Sequence, residues 1–321
     1  MQRRRFAAPF LLSLALTALL ASSASATTAY TYVASYGNDE NACTLAAPCR
    51  TLTEALTQTS SGGEVLVLDS GDYDPVSITQ SVSIIAAPGA HASIQVASGN
   101  GIAVNGSGIK VILRGLFVRG AGGDHAVYFQ AGASLHISHS EFVGMSGRVL
   151  NMTASSGKLF VADSAFRNNA GGPTVDESAS SAQATFVNVQ SLDNTGRGIN
   201  IEAGTATLRD VVVANNGGYG IAATAGASID VERATVRSNY AGFAIYGSGT
   251  KATITNTTVT HNGDGVTVTD SATAVVSGTT ITRNGGLGVY LAGGTMKSPG
   301  DNIVAENGTN VSGSISSISK Q

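Results

Sequence analysis

The chain of 321 residues has no tryptophan, only two cysteines and six prolines, and few charged side chains, which make up 12% of it. Without tryptophan, stacking on a sugar ring would depend on exposed tyrosines. The Cys-x-x-Cys spacing of redox enzymes is absent. Beyond the first 26 residues, no segment approaches the roughly 20 apolar residues that a membrane span needs. These absences exclude dithiol redox chemistry and a helical membrane anchor in that part of the chain.

The first 26 residues have the pattern of a secretory signal. Three arginines at positions 3 to 5 precede an apolar run, Phe10 to Leu20, and small residues at Ala24 to Ala26 form a cleavage site. Cleavage would remove three basic residues, so the net charge would fall from −3 to about −6. Such a charge argues against nucleic acid or an anionic membrane as a partner. We expect an exported protein, secreted or periplasmic.

The two cysteines, Cys43 and Cys49, lie close together after the signal. An oxidising compartment favours a disulfide between them. A metal site would need histidine or acidic partners within the loop, and the loop has none. The pair therefore predicts a covalent staple.

A phrase beginning with asparagine recurs about every 22 to 25 residues in the second half of the chain. Asparagine is followed by a few small residues rich in glycine and then by an apolar-x-apolar strand. Copies begin at Asn194, Asn216, Asn239, Asn262 and Asn284. A repeat this short cannot bury its own apolar face, so each copy must stack on its neighbours.

Each repeat also has a second alternating apolar stretch in which the alternation slips by one residue, as in Ile254 to Val259. Alternation indicates a half-buried strand, and the slip indicates a corner followed by a third strand. Three strands in about 23 residues predict one coil of an all-β, parallel β-helix with roughly eleven turns. The outward residues of the first strand are predicted to stack in one column: Tyr128, Asn151, Asp176, Asn200, Ala222, Ala244, Thr267 and Tyr290.

The recurring asparagines are predicted to occupy a corner, where asparagine tolerates a left-handed backbone and its amide can bond along the stack. At the other end of the repeats, Thr51 to Glu54 match a capping box. A helix from about Leu52 to Thr59 would then cover the first coil. We expect a signal at 1–26, an N-terminal cap at 27–61 and the β-helix at 62–321.

This chain resembles the bacterial right-handed parallel β-helix repeat proteins of the pectate-lyase-like superfamily. The resemblance is carried by Tyr32–Asp39, Cys43–Cys49, Thr51–Leu56, Gly62–Tyr73, Val82–Ile85, Ala87–Gly89 and the asparagine repeats. It implies a right-handed helix, in agreement with the crossover preference of parallel strands. The family contains polysaccharide lyases, glycoside hydrolases, epimerases and adhesins. The Asp-Asp and Gly-His-Gly segments of polygalacturonases are absent, which argues against that activity.

A lyase of this kind would need stacked acidic residues beside a base. The best match places Asp176 and Glu177 on one coil and Arg197, Asn200 and Glu202 on the next. Asp176, Glu177 and Glu202 are then candidate Ca²⁺ ligands, Arg197 is the candidate base, and Asn200 contacts substrate. The alternative is that these are ordinary solvent-facing residues of a sheet.

A second polar cluster contains His125, Tyr128, His136, His139 and Glu141, with Arg148 one coil later. Zinc binding, acid–base chemistry and simple surface placement all remain open for it. Tyr219 and Tyr240 lie at the asparagine corner of consecutive coils and are candidates for stacking on a sugar.

Two functional hypotheses follow. The first is a secreted protein that binds polysaccharide or has a structural role, without an intact catalytic motif. The second is a polysaccharide lyase that cleaves a uronate-containing glycan by calcium-assisted β-elimination.

Overall fold

A computed structural model describes residues 27–176 and 178–319. The predicted signal, Met1–Ala26, and Glu177 lie outside these described residues. Between Thr28 and Ser317 the chain coils about eleven times, and each complete coil contributes strands to three parallel faces. The predicted all-β, three-strand parallel β-helix is confirmed.

The first face, sheet 1, has eleven parallel strands in consecutive order. They are Val76–Ile78, Asn100–Asn105, His125–Ala131, Leu150–Met152, Thr174–Val175, Ile199–Ile201, Tyr219–Ala223, Ala241–Tyr246, Asp264–Thr269, Leu287–Ala292 and Thr309–Ser312.

The other two faces join at a bend. Sheet 2 consists of Thr28–Val33, Thr59–Val67, Val82–Ala86, Lys110–Arg114, Ser134–Ser138, Lys158–Arg167, Gln183–Leu192, Thr205–Arg209, Ser228–Glu232, Lys251–Thr255, Thr273–Ser277, Thr295–Ser298 and Ser316–Ser317. Sheet 3 consists of Gly71–Tyr73, Ala92–Val96, Leu116–Gly120, Glu141–Val143, Val212–Ala214, Thr235–Arg237, Thr258–Thr260, Thr280–Thr282 and Ile303–Ala305, and two long strands of sheet 2 (Lys158–Arg167 and Gln183–Leu192) continue into it.

The core is a set of apolar columns running along the axis of the stack. Val127, Ile199, Val266 and Val289 are all fully buried, and Val266 pairs directly with Val289 of the next coil. Coils joined by main-chain hydrogen bonds repeat at about 4.8 Å. The interior is therefore shared between adjacent turns, as the repeat predicted.

The asparagines of the corner between sheets 3 and 1 form a continuous hydrogen-bonded row, which we call the asparagine ladder. In each step the Nδ2 of one asparagine donates to Oδ1 of the next and to a carbonyl oxygen of the preceding coil. The members are Asn169, Asn194, Asn216, Asn239, Asn262, Asn284 and Asn307. The last of them donates instead to Asn310, within its own coil.

The predicted reason for asparagine at this corner was wrong. The left-handed residue is the one before each ladder asparagine, with φ between 54° and 57° at Asn168, Asp193, Asn215, Ser238, His261, Arg283 and Glu306. Side chains of several types occupy that position. Asparagine is therefore used for its amide, which satisfies buried groups of three coils, and not for its backbone.

One position of the predicted outward column was also wrong. Thr174, and not Asp176, pairs with Asn151 on one side and with Asn200 on the other. The two buried residues beside Thr174 are Pro173 and Val175, and a proline at an inward position disguised the strand. The steps are therefore 23 and 26 residues, because the extra residues follow the strand.

Helix α1, Leu52–Gln58, packs Leu52, Ala55 and Leu56 into the first coil. The Thr51 side chain caps it by accepting from the Glu54 N–H, at 3.1 Å. The reciprocal half of the capping box is absent, because the Thr51 N–H donates to Asp39 at 2.9 Å.

The predicted disulfide between Cys43 and Cys49 is present. The predicted boundary between residues 61 and 62 falls inside the strand Thr59–Val67, so the cap and the coils share sheet 2. No helix among the described residues is long and apolar enough to cross a membrane.

Candidate functional site

The outer face of sheet 1 bears three rows of side chains that run along the rod. The first row contains His125, Arg148, Gly171 and Arg197; the second contains Tyr128, Asn151, Thr174 and Asn200; the third contains Asp176, Glu202 and Tyr246. Parallel stacking in register places residues that are distant in sequence on neighbouring coils. The polar and aromatic members of the rows meet over the coils that contain Arg148, Thr174 and Asn200.

Arg148 joins the carboxylates of two coils. Its Nη1 donates to Oδ2 of Asp176 at 2.5 Å, and its Nη2 contacts both oxygens of Glu202 at 3.2 Å. The residue Glu202 is only 8% exposed. A carboxylate so buried needs cationic and hydrogen-bonding partners to remain ionised.

Two further partners of Glu202 come from its own coil. Asn200 donates to Oε1 of Glu202 at 2.7 Å, and Arg197 Nη1 lies 3.6 Å from the same oxygen. Arg197 Nη1 also donates to Oδ1 of Asn200, at 2.8 Å. The Glu202 carboxylate is thus held between two guanidinium groups and one amide, which fixes all three side chains.

Aromatic side chains cover Arg197 from the following coils. Its Nη2 donates to the Tyr246 hydroxyl at 2.9 Å, and its guanidinium lies 5.6 Å from the centre of the Tyr219 ring. The Tyr219 ring is 5.9 Å from that of Tyr240, and Tyr240 is 66% exposed. The tyrosines extend the polar cluster along the rod with an accessible apolar surface.

An open cavity of about 260 Å³ lies between the two arginines, with Gly171, Gly172 and Thr174 among its lining residues. A Cβ on Gly172 would lie 1.5 Å from the Gly198 carbonyl oxygen, so a side chain cannot fit there. A Cβ on Gly171 would meet nothing closer than 3.9 Å. Gly171 therefore leaves a free notch in the row that carries Arg148 and Arg197.

The electrostatics of the site balance within it. Burial raises the pKa of Asp176, but hydrogen bonds from Ser178 and the Arg148 contact outweigh it and hold that pKa below the usual value. The two guanidinium groups face two carboxylates, Asp176 and Glu202. The cavity consequently offers strong donors and acceptors with no large surplus of charge of either sign.

His125 lies in the first row, one coil before Arg148. Burial lowers its pKa, and the Arg148 charge adds to this against an opposing effect of Asp124. Its Nδ1 is 3.0 Å from Oδ1 of Asn100, and its ring stacks on Tyr128 with centres 5.1 Å apart. With Nδ1 donating to Asn100, Nε2 is left with a lone pair that can accept a proton.

The structure brings together four predicted site residues, Asp176, Arg197, Asn200 and Glu202; the fifth, Glu177, lies outside the described residues. The second predicted cluster divides. His125 and Tyr128 lie on sheet 1, whereas His136 stacks on Phe160 of sheet 2, with ring centres 5.6 Å apart, and His139 lies at the bend beside Asp163.

Sequence reasoning assigned Arg148 to the other cluster and did not recognise Gly171 or Thr174. The correct register of Thr174 is the signal that would have placed all three in the site.

Calcium does not fit the carboxylates that the structure describes. Arg148 occupies the position between Asp176 and Glu202, and a cation there would have to displace its guanidinium. Within residues 27–176 and 178–319, no group of three or more histidine, cysteine or acidic side chains could hold a metal ion. We derive no step through a metal.

Comparison with known proteins gives a family. The family model described as "Right handed beta helix region" matches residues 90–236 and 197–319, most of the chain. The chain belongs to the right-handed β-helix family. No curated protein matches this β-helix protein.

Solved structures share its fold at low identity. The β-helix protein is similar to pectate lyase Pel9A, with a TM-score of 0.59 and 16% identity over 88% of this chain and 80% of the other. It is also similar to the A-module of the Azotobacter vinelandii mannuronan C-5 epimerase AlgE6, with a TM-score of 0.57 and 18% identity over 80% and 90%. A rhamnogalacturonan lyase gives a TM-score of 0.51 and 12% identity, over 89% of each chain. At these identities the likeness concerns the fold.

Proposed function

We propose that this protein is exported and binds a polysaccharide along sheet 1, at the cavity between Arg148 and Arg197. The arrangement of these arginines around the Gly171 notch carries the proposal. The resemblance to enzymes named for pectate, rhamnogalacturonan and mannuronan supports a glycan as ligand. The disulfide supports an oxidising location.

The energetics of the network favour a functional role. Replacing a buried ion pair with apolar residues is often neutral or stabilising, so the fold itself does not require these charges. Later coils of sheet 1 carry Ala222 and Ala244 in the row that holds Asn200. The charges are concentrated in a few coils, as expected of a site.

The chemistry of the cavity suits a hydroxyl-rich chain. Guanidinium groups donate, the carboxylates of Asp176 and Glu202 accept, and a sugar hydroxyl can do both. Tyr219 and Tyr240 provide a ring surface for the apolar face of the next sugar unit. An open groove parallel to the rod admits a polymer without requiring a chain end.

The experiment is affinity electrophoresis through gels that contain soluble neutral or uronate-containing polysaccharides. We expect retardation by at least one of them, and its loss in Arg197→Ala. Arg237→Ala is the matched control, because Arg237 is exposed on sheet 3 and the charge change is the same. Unchanged retardation in both Arg148→Ala and Arg197→Ala would refute this site.

Cleavage of a uronate-containing glycan by β-elimination is the second candidate, and the His125 environment favours it. A histidine with a lowered pKa is neutral at neutral pH and can accept a proton. Arg148 is placed to hold a sugar carboxylate nearby. The proton-accepting role of Arg197 stays a prediction, and it would require Arg197 to release contacts with Asn200 and Glu202.

The assay for this candidate follows the absorbance of unsaturated product. Cleavage that is lost in His125→Ala and retained in the exposed His136→Ala would support elimination on sheet 1. Retardation in the gels without any unsaturated product would leave binding as the function.

A further inference from the structure

A second cavity lies on sheet 3, near the N-terminal end of the rod and on a different face from the site above. Its volume is about 360 Å³. Asp72, Ser93 and Phe117 follow one another on three consecutive coils and line it, together with His91 and Arg119. None of these residues contributes to the sheet 1 site.

Ser93 is the unusual member of this cavity. It is 5% exposed, and its hydroxyl is buried without a hydrogen-bond partner among the described residues. A buried hydroxyl without a partner lowers stability, and alanine would avoid that cost. The fold therefore gives no reason for serine here, whereas a ligand that bonds to the hydroxyl would.

One wall of the cavity is aromatic. The His91 and Phe117 rings lie with their centres 4.6 Å apart at an angle of 36°, and Phe117 remains partly exposed. The C–H face of a pyranose ring is apolar and packs well on such a surface.

The rim of the cavity is polar and balanced in charge. Arg119 Nη2 donates to Gln95 at 2.8 Å and lies 3.4 Å from both carboxylate oxygens of Asp72. The opposite charges compensate each other, so neither an anion nor a cation is favoured. Donors and acceptors on either side of an aromatic wall suit a neutral polyhydroxylated ring.

The groove continues along the same face. Glu141 stacks next to Phe117, and it pairs with Arg167 of the following coil at 2.8 Å beside a further cavity of about 380 Å³. Charged groups are again paired within the wall. A ligand longer than one sugar unit could thus extend along sheet 3 towards the bend.

We propose that the sheet 3 cavity is a carbohydrate-binding subsite that takes one pyranose unit of a neutral oligosaccharide. The sugar packs on Phe117, bonds to the Ser93 hydroxyl and lies against the Arg119–Asp72 pair. It does not depend on binding at sheet 1. With both sites occupied, one rod holds glycan on two faces and can bridge two chains.

Saturation-transfer NMR with cellotetraose, xylotetraose and mannotetraose tests this proposal. We expect at least one tetrasaccharide to bind, and Phe117→Ala to weaken it about three- to tenfold through loss of the ring contact. Ser93→Ala should weaken it about two- to tenfold while the melting temperature stays the same or rises. A purely structural serine would not give that combination.

Arg197→Ala separates this site from the sheet 1 site and should leave tetrasaccharide binding unchanged. The proposal is overturned if none of the three tetrasaccharides binds. It is equally overturned if binding survives Phe117→Ala and Ser93→Ala but disappears in Arg197→Ala, which would assign the neutral sugar to sheet 1.

Discussion

Replacing Asn239 by alanine tests the asparagine ladder at its middle. The substitution removes four hydrogen bonds. Two are donated by Asn239 Nδ2, to Val213 O and to Asn262 Oδ1, at 3.1 and 3.0 Å. Two are accepted by its Oδ1 from the N–H and the Nδ2 of Asn216, at 3.0 and 2.9 Å. All of these groups are buried, so water cannot replace the lost partner without opening the corner.

The expected cost is large for one side chain. A net contribution of about 1 kcal/mol for each bond, with an added penalty for the buried Asn216 N–H, predicts a loss of about 3 to 5 kcal/mol. Asn310→Ala is the matched control, because Asn310 is exposed and accepts only from Asn307 at the end of the ladder. We expect that variant to lose less than about 1 kcal/mol.

The measurement combines denaturant unfolding with amide hydrogen exchange, because a solenoid can open locally before it unfolds globally. Exchange of the Asn216 amide should accelerate strongly in Asn239→Ala. The Asn194 amide, which donates to Asn216 Oδ1, should be affected much less. If Asn239→Ala costs no more than Asn310→Ala, or if the Asn216 amide stays protected, the ladder does not stabilise the corner as argued.

Four other outcomes are expected. Gly171→Phe should abolish polysaccharide retardation with little change in melting temperature, because a Cβ there meets nothing closer than 3.9 Å. Chelator and added Ca²⁺ should change neither melting temperature nor retardation, measured side by side. Hydrogen bonds outweigh burial and lower the folded-state pKa of Asp39 and Asp69 below 3.8. Their contribution to stability should therefore be present above that pH and be lost as pH falls below it; melting curves of wild type and Asp69→Asn against pH check this. Replacing Cys43 and Cys49 by alanine should destabilise the cap by about 2 kcal/mol, measured by denaturant unfolding.

Most of the architecture could be predicted from the sequence because it repeats. An inward apolar residue must recur once per coil, and Val127, Val266 and Val289 already revealed the period. The prediction was wrong at Asp176, where Pro173 takes an inward position that is usually filled by a β-branched residue. A displacement of two residues was enough to place the wrong side chain beside Asn200.

The candidate site was only partly predictable for the same reason. Arg148 and Glu202 are 54 residues apart, and their contact depends on the register of every coil between them. The notch at Gly171 is the lack of a side chain and becomes visible only when its neighbours are placed. The orphaned Ser93 hydroxyl likewise has no sequence signature.

The left-handed residue before each ladder asparagine offers a way to adjust the rod without touching either sugar-binding face. The backbone angle is fixed there, while the side chain is free to vary, as Ser238, His261 and Arg283 show. Glycine or asparagine adopts this angle at lower cost than most residues. Because alternate corners are about 10 Å apart, substitutions at them should add nearly independently. The melting behaviour of the protein could thus be set one turn at a time, with its recognition surfaces unchanged.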